Sequence, residues 1–112
     1  MGIGYLGAGA IGYRTTLDML VVAFCKDYFE RKAVILSDNV SRRTRMEYEY
    51  INSRISNAAM EVVGDDFEIY IREIGEAVGY ANSKIEGISE NTYKHRKRSV
   101  KLNIAKKLHL MD

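Results

Sequence analysis

The stretch IREIGEAVGYANSKIEGI, residues 71–88, decides how the chain is read. Two amphipathic helices that cross closely need a small residue at the crossing, a residue about four places on that tolerates a turn, and apolar side chains that wedge the second helix against the first. Gly75 and Gly79 meet the first two needs, and Ile74, Val78, Ile85 and Ile88 supply the wedges. Upstream, Phe67, Tyr70, Ile71, Ile74 and Val78 form a helical stripe that runs to Gly79, entered through Asp65 and Glu68, which are spaced as a capping box. Before it, Tyr48, Ile51, Ile55, Ala58 or Ala59, and Val62 make another, opened by Ser41 as cap and closed by Gly64 as a left-handed stop. The earliest stripe, Leu17, Leu20, Val21, Phe24 and Tyr28, starts near Thr16, with Thr15 or Thr16 as cap, and continues toward Leu36. Downstream, Ser89 is placed to cap a final helix whose inner side carries Tyr93, Val100, Ile104 and Leu108. Four such stripes predict an all-α fold, a small helical bundle.

Composition agrees with this class. With 112 residues the chain suits one hydrophobic core and leaves no room for a large enzyme, and 46% hydrophobic against 29% charged residues is too apolar for whole-chain disorder. Proline is absent, and five of the nine glycines fall in the first twelve residues, so the remainder is poor in residues that interrupt helices. We therefore divide the chain into a glycine-rich leader, residues 1–14, expected to be loosely ordered unless a partner covers it, and a helical domain, residues 15–112. Within that domain, residues 15–64 are expected to be scaffold or dimerisation helices, and residues 65–112 a helix-turn-helix-like unit. Residues 19–25 are apolar on every side, which predicts burial all round or a subunit contact. A lone Cys25 cannot form an internal disulfide and points to a reducing compartment, the cytoplasm. Arg14 and Asp18 break the most apolar region, so no membrane span is expected, and no export signal is legible.

Charge is unevenly distributed. Residues 46–88 carry three basic side chains against nine acidic ones. Residues 89–112 carry seven basic side chains, Lys94, Arg96, Lys97, Arg98, Lys101, Lys106 and Lys107, against Glu90 and Asp112. A basic end favours an acidic partner, most commonly nucleic acid.

The segment IREIGEAVGYANSK, residues 71–84, resembles the helix-turn-helix of bacterial transcription regulators, including the arabinose-type activators. SENTYK, residues 89–94, resembles the start of the recognition helix in sigma-factor region four and in small phage late-gene regulators of the autolysin-regulator type. The resemblance spans residues 67–110 and implies a C-terminal helix-turn-helix, duplex DNA as partner, contact with the transcription machinery and control of transcription. Small phage packaging subunits carry such a unit too. The residues most like the motif are Ser89, Glu90, Thr92 and Lys94. The chain departs from the pattern in having Gly75 where alanine is usual, and Gly87, which weakens any helix over residues 82–88 by about 1 kcal/mol.

Two registers compete. In one, Asn82, Ser83, Lys84 and Glu86 face the groove. In the other, preferred here, the reading helix starts at Ser89 and presents Asn91, Thr92, Lys94, His95 and Lys97; Asn91 and Thr92 are then expected near base edges, and Lys94, Arg96, Lys97, Arg98 and Lys101 on phosphates. The plain alternative is that KHRKR, residues 94–98, is a solvated helix face, and the chain a helical homodimer that uses residues 19–25 and meets no nucleic acid.

Other chemistry finds little footing. The glycines of residues 2–7 and 7–12 both match a dinucleotide fingerprint in letters, and residues 33–36 with Asp38 imitate its second strand and acid, but no further parallel strands follow. His95 and His109 lack a nucleophile partner, so no enzyme activity and no cofactor are expected. The pairs Glu47 with Glu49 and Asp65 with Asp66 are better read as surface and helix-start charges than as metal ligands, and Cys25 as an inert buried thiol. The tyrosines at or beside the stripes, Tyr93 included, are read as packing residues.

Overall fold

The computed structural model describes residues 8–111, with side chains described from residue 15. Over the described residues the chain is an all-α bundle of five helices: α1 (Ala8–Lys26), α2 (Tyr28–Ile35), α3 (Arg42–Val63), α4 (Phe67–Gly75) and α5 (Glu90–Lys107). Single 3₁₀ turns lie at Gly64–Asp66 and Tyr80–Asn82, and there is no strand among the described residues. The strand imagined for residues 33–36 is therefore the end of α2 and the turn after it.

α3 forms as its pattern dictates. The Ser41 hydroxyl accepts the Thr44 N–H at 3.1 Å and satisfies one of the free amides at the helix start. At the other end Gly64 takes φ of +63°, which stops the helix. Its inner face, Ile55, Ala58 and Ala59, is fully buried against α2, α4 and α5.

The N-terminal region departs from the expected single helix. α1 begins at Ala8, eight residues before Thr16, so part of the supposed leader is helical, while residues 1–7 of it lie outside the described residues. The helix then breaks at Asp27. Arg31 holds the joint: its guanidinium donates to the Phe24 carbonyl at 2.5 Å and to Asn52 Oδ1 at 2.7 Å, and Asn52 donates to the Tyr28 carbonyl at 3.0 Å. Two buried polar side chains thus tie α1, α2 and α3 together while satisfying each other. Nor is the 19–25 segment buried all round. Val21 and Cys25 enter the core, whereas Met19 is 66% exposed.

α4 is shorter than its stripe. It ends at Gly75, and the chain leaves through Ala77 at φ of +55°, with the Val78 N–H bonded to the Glu73 carbonyl and the Ala77 N–H to the Ile74 carbonyl. That is a Schellman stop with alanine in the position glycine usually fills. α5 ends likewise, with His109 at φ of +60° and the Leu110 N–H on the Ala105 carbonyl. The capping box expected from Asp65 and Glu68 does not form: the residue before α4 is Asp66, without a side-chain cap, and Glu68 pairs with Lys32 of α2.

The link between α4 and α5 spans residues 76–89, where a compact helix-turn-helix has a turn of three or four residues. The small residue expected at an α4–α5 crossing serves another one. A Cβ on Gly75 would stand 2.7 Å from the Lys26 nitrogen and 2.9 Å from the Cys25 carbonyl carbon, so Gly75 lets α4 lie directly on the backbone of α1.

Candidate nucleic-acid interface

α5 packs along α3 through Val100, Ile104 and Ala105, and one buried carboxylate ties its start and the link before it to α4. Glu73, on α4, is 3% exposed and accepts three hydrogen bonds: from the Tyr93 hydroxyl and the Ser83 hydroxyl on Oε1, at 2.8 and 2.7 Å, and from the Lys84 N–H on Oε2 at 2.7 Å. Ser83 in turn accepts the Ile85 N–H, and the Tyr80 hydroxyl donates to the Ile88 carbonyl at 2.8 Å. The long link is thereby folded onto α4, and the Tyr93 ring stacks on Tyr70 with centroids 6.0 Å apart. Burial and the bond to Glu73 push the Tyr93 phenol up to about 12. The Tyr70 hydroxyl is buried with no hydrogen-bond partner among the described atoms, and the neighbouring Arg96 guanidinium partly offsets the effect of burial on its pKa.

The start of α5 repeats the start of α3. Ser89 accepts the Thr92 N–H at 3.2 Å and donates to the Thr92 hydroxyl at 3.0 Å, as Ser41 does with Thr44. Ser89 and Thr92, expected at bases or phosphates, are thus engaged as a helix cap. The register with a helix over residues 82–88 does not form: residues 83–89 are non-helical, and Ser83 is held by Glu73.

The remaining predicted residues fall on three sides of α5. Tyr93, Val100 and Ile104 fill the core. On the flank toward α1, Lys97 turns inward and donates to the Val78 carbonyl at 2.7 Å, while Lys101 pairs with Asp18 of α1 at 2.8 Å and Lys94 pairs with Glu90 of its own helix at 2.9 Å. Burial and the nearby Lys101 push the Lys97 ammonium below the usual lysine range, and Glu73 and Asp18 pull it back. Lys97 is therefore a brace of the α4–α5 link, not a free cation. Lys94, Lys97, Arg98 and Lys101 border a groove of about 960 Å³ between α1 and α5, with Leu17 and Val21 opposite. On the flank toward α4 lies Arg96, beside Tyr70, and further along Asn103 and Lys107 bond to Glu61 of α3.

Outward, at helical spacing, stand Asn91, His95, Arg98, Leu102 and Lys106, all exposed. Among the described residues none of His95, Arg98 and Lys106 shares an ion pair, and the one acid of α5, Glu90, lies off this stripe on the Lys94 side. The stripe offers one amide, one imidazole and two cations, Arg98 and Lys106, along a helix about 27 Å long. Sequence reasoning missed Glu73, Asp18 and Tyr80, none of which carries a local motif. It also missed the inward turn of Lys97. The only sequence signal for Glu73 is a carboxylate between Ile71 and Ile74 on an otherwise apolar inner face.

No group of three or more possible metal-ligating side chains, and no helix long and apolar enough to cross a membrane, occurs among the described residues. No protein-family model, curated protein or solved structure matches the chain.

Proposed function

We propose that this protein binds duplex DNA through the outward face of α5, without catalysis, and acts as a small regulator of transcription. The observation that carries the reading is the stripe Asn91, His95, Arg98 and Lys106: exposed, acid-free and set on a helix held rigidly from behind by Glu73 and Tyr93. A helix of this width fits the major groove, where Asn91 can pair with adenine and Arg98 with guanine or phosphate. Lys94 and Arg96 flank the stripe and add phosphate contacts. Lys97 and Lys101 contribute to the field while holding the helix in place.

Fluorescence anisotropy with random-sequence duplex across a salt series tests this directly. The triple variant Lys94→Gln, Arg96→Gln, Arg98→Gln leaves the internal bonds of Lys97 and Lys101 intact. It is expected to bind more weakly, with a salt dependence shallower by roughly 0.9 for each phosphate no longer neutralised. Unchanged affinity and slope in the triple variant would rule out this surface.

A further inference from the structure

α3 shows solvent a second ordered face, opposite the one it buries. Met46, Tyr50, Ser53, Asn57 and Met60 follow one another at alternating spacings of four and three residues, the pattern of a helix seam that packs on another helix. All five are exposed, Met46 at 58%, Tyr50 at 52% and Met60 at 42%. The inner residues Asn52, Ile55, Ala58 and Ala59 already satisfy the core, so nothing within the described fold requires this stripe. Its surface is concave: Tyr50, Ser53, Asn57 and Met60, with Lys107 at one edge, line a groove of about 600 Å³.

Charge selects the occupant. α3 opens with the exposed pair Arg42 and Arg43, which outweighs exposed Glu47, 3.9 Å from Arg43, only at the first turn, and it closes with exposed Glu61, with exposed Asp65 and Asp66 a turn beyond. A second α3 laid antiparallel brings the basic start of each copy to the acidic end of the other. A parallel copy would set like against like. We propose that two copies of this chain pair through α3, antiparallel, about a two-fold axis near Ser53. The small Ser53 lets the helices approach at the axis, Met46 of each copy meets Met60 of the other, and Tyr50, held by Arg54 at 4.8 Å, packs beside Asn57 of its partner. Glu61, bonded to Lys107 within its own chain at 2.9 Å, then faces Arg43 of the second copy, itself 3.9 Å from its own Glu47, in a four-membered charge cluster. Only the last turn of α5, through Lys107, borders this groove, and Asn91, His95 and Arg98 do not line it, so the pairing stands or falls independently of DNA binding.

Sedimentation equilibrium of the full chain at about 100 µM, a concentration at which even a weak pair is populated, is expected to give the dimer mass. The double variant Met46→Glu, Met60→Glu is expected to give the monomer mass with unchanged helical circular dichroism. A monomeric wild type, or a dimer that survives the double substitution, overturns the proposal. Geometry is read separately by cysteine cross-linking with oxidised glutathione, since native Cys25 is buried. Ser53→Cys, next to the axis, is expected to cross-link to itself, whereas two copies of Arg43→Cys would sit about 30 Å apart and should not. Equal cross-linking of both variants overturns the antiparallel arrangement.

Discussion

Glu73 and Tyr93 lie twenty positions apart and meet in the core, where the phenol is the donor that a buried carboxylate needs. Below about pH 10 the phenol is neutral in both folded and unfolded chains, and its contribution to stability is complete. Above that, the unfolded phenol ionises while the folded one, raised to about 12, stays neutral, so stability falls through this window. The loss is on the order of 2 kcal/mol. Tyr93→Phe is expected to cost about 1 kcal/mol at neutral pH, by removing one donor from Glu73, and to flatten the alkaline decline. Urea midpoints measured from pH 8 to 12 check both effects, and parallel curves for the two proteins between pH 10 and 12 would refute this assignment. Neither residue was legible as a pair. Tyr93 announced itself as a packing residue by its place on the Val100 and Ile104 stripe, but an isolated glutamate inside an apolar stripe says nothing about which distant groups will satisfy it.

Helix ends set by a single cap or stop residue were readable, whereas the box of Asp65 and Glu68, equally local in pattern, gave way to the pairing of Glu68 with Lys32. Ser41, Ser89 and Gly64 act within one helical turn of themselves, so the ends of α3 and the start of α5 followed from sequence alone. The break at Asp27 depends on Arg31 finding Asn52, and the role of Gly75 depends on α1 arriving beneath it. Neither leaves a mark within a short window. The end of α4 makes the contrast testable. Gly75→Ala, though favoured by helix propensity by about 1 kcal/mol, would drive a Cβ into the backbone of Cys25 and Lys26, at a cost of about 1–3 kcal/mol. Two residues on, Ala77→Gly should stabilise by about 0.5–1 kcal/mol, because it relieves a left-handed alanine. Thermal or denaturant unfolding of the two variants should therefore move in opposite directions. The same direction for both would show that the α1–α4 crossing, or the αL stop, is wrongly described.

At the scale of the molecule, the all-α class was fixed by four apolar stripes, and the structure adds a fifth helix by splitting the first of them. The basic end expected to face a polyanion is only partly free: Lys97 and Lys101 are spent on internal partners, and the outward stripe retains His95, Arg98 and Lys106. Charge counting along a sequence cannot make that division, because the partners Val78 and Asp18 are brought in by other parts of the fold. The surfaces proposed for duplex binding and for α3 pairing thus centre on different helices.

The crossing of α4 over α1 also makes the molecule report on its own opening. Cys25, 1% exposed and pushed up to about 12 by burial, lies beneath the glycine contact. A thiol reagent therefore gains entry only when the packing around Cys25 opens, and the crossing of α4 is part of that packing. Labelling of the native protein at neutral pH should proceed in proportion to the open fraction, slow in the wild type and faster in Gly75→Ala, so that mass spectrometry of a single alkylation event reports how far the bundle breathes. Prompt, stoichiometric labelling of the wild type would mean that this packing does not close over the thiol.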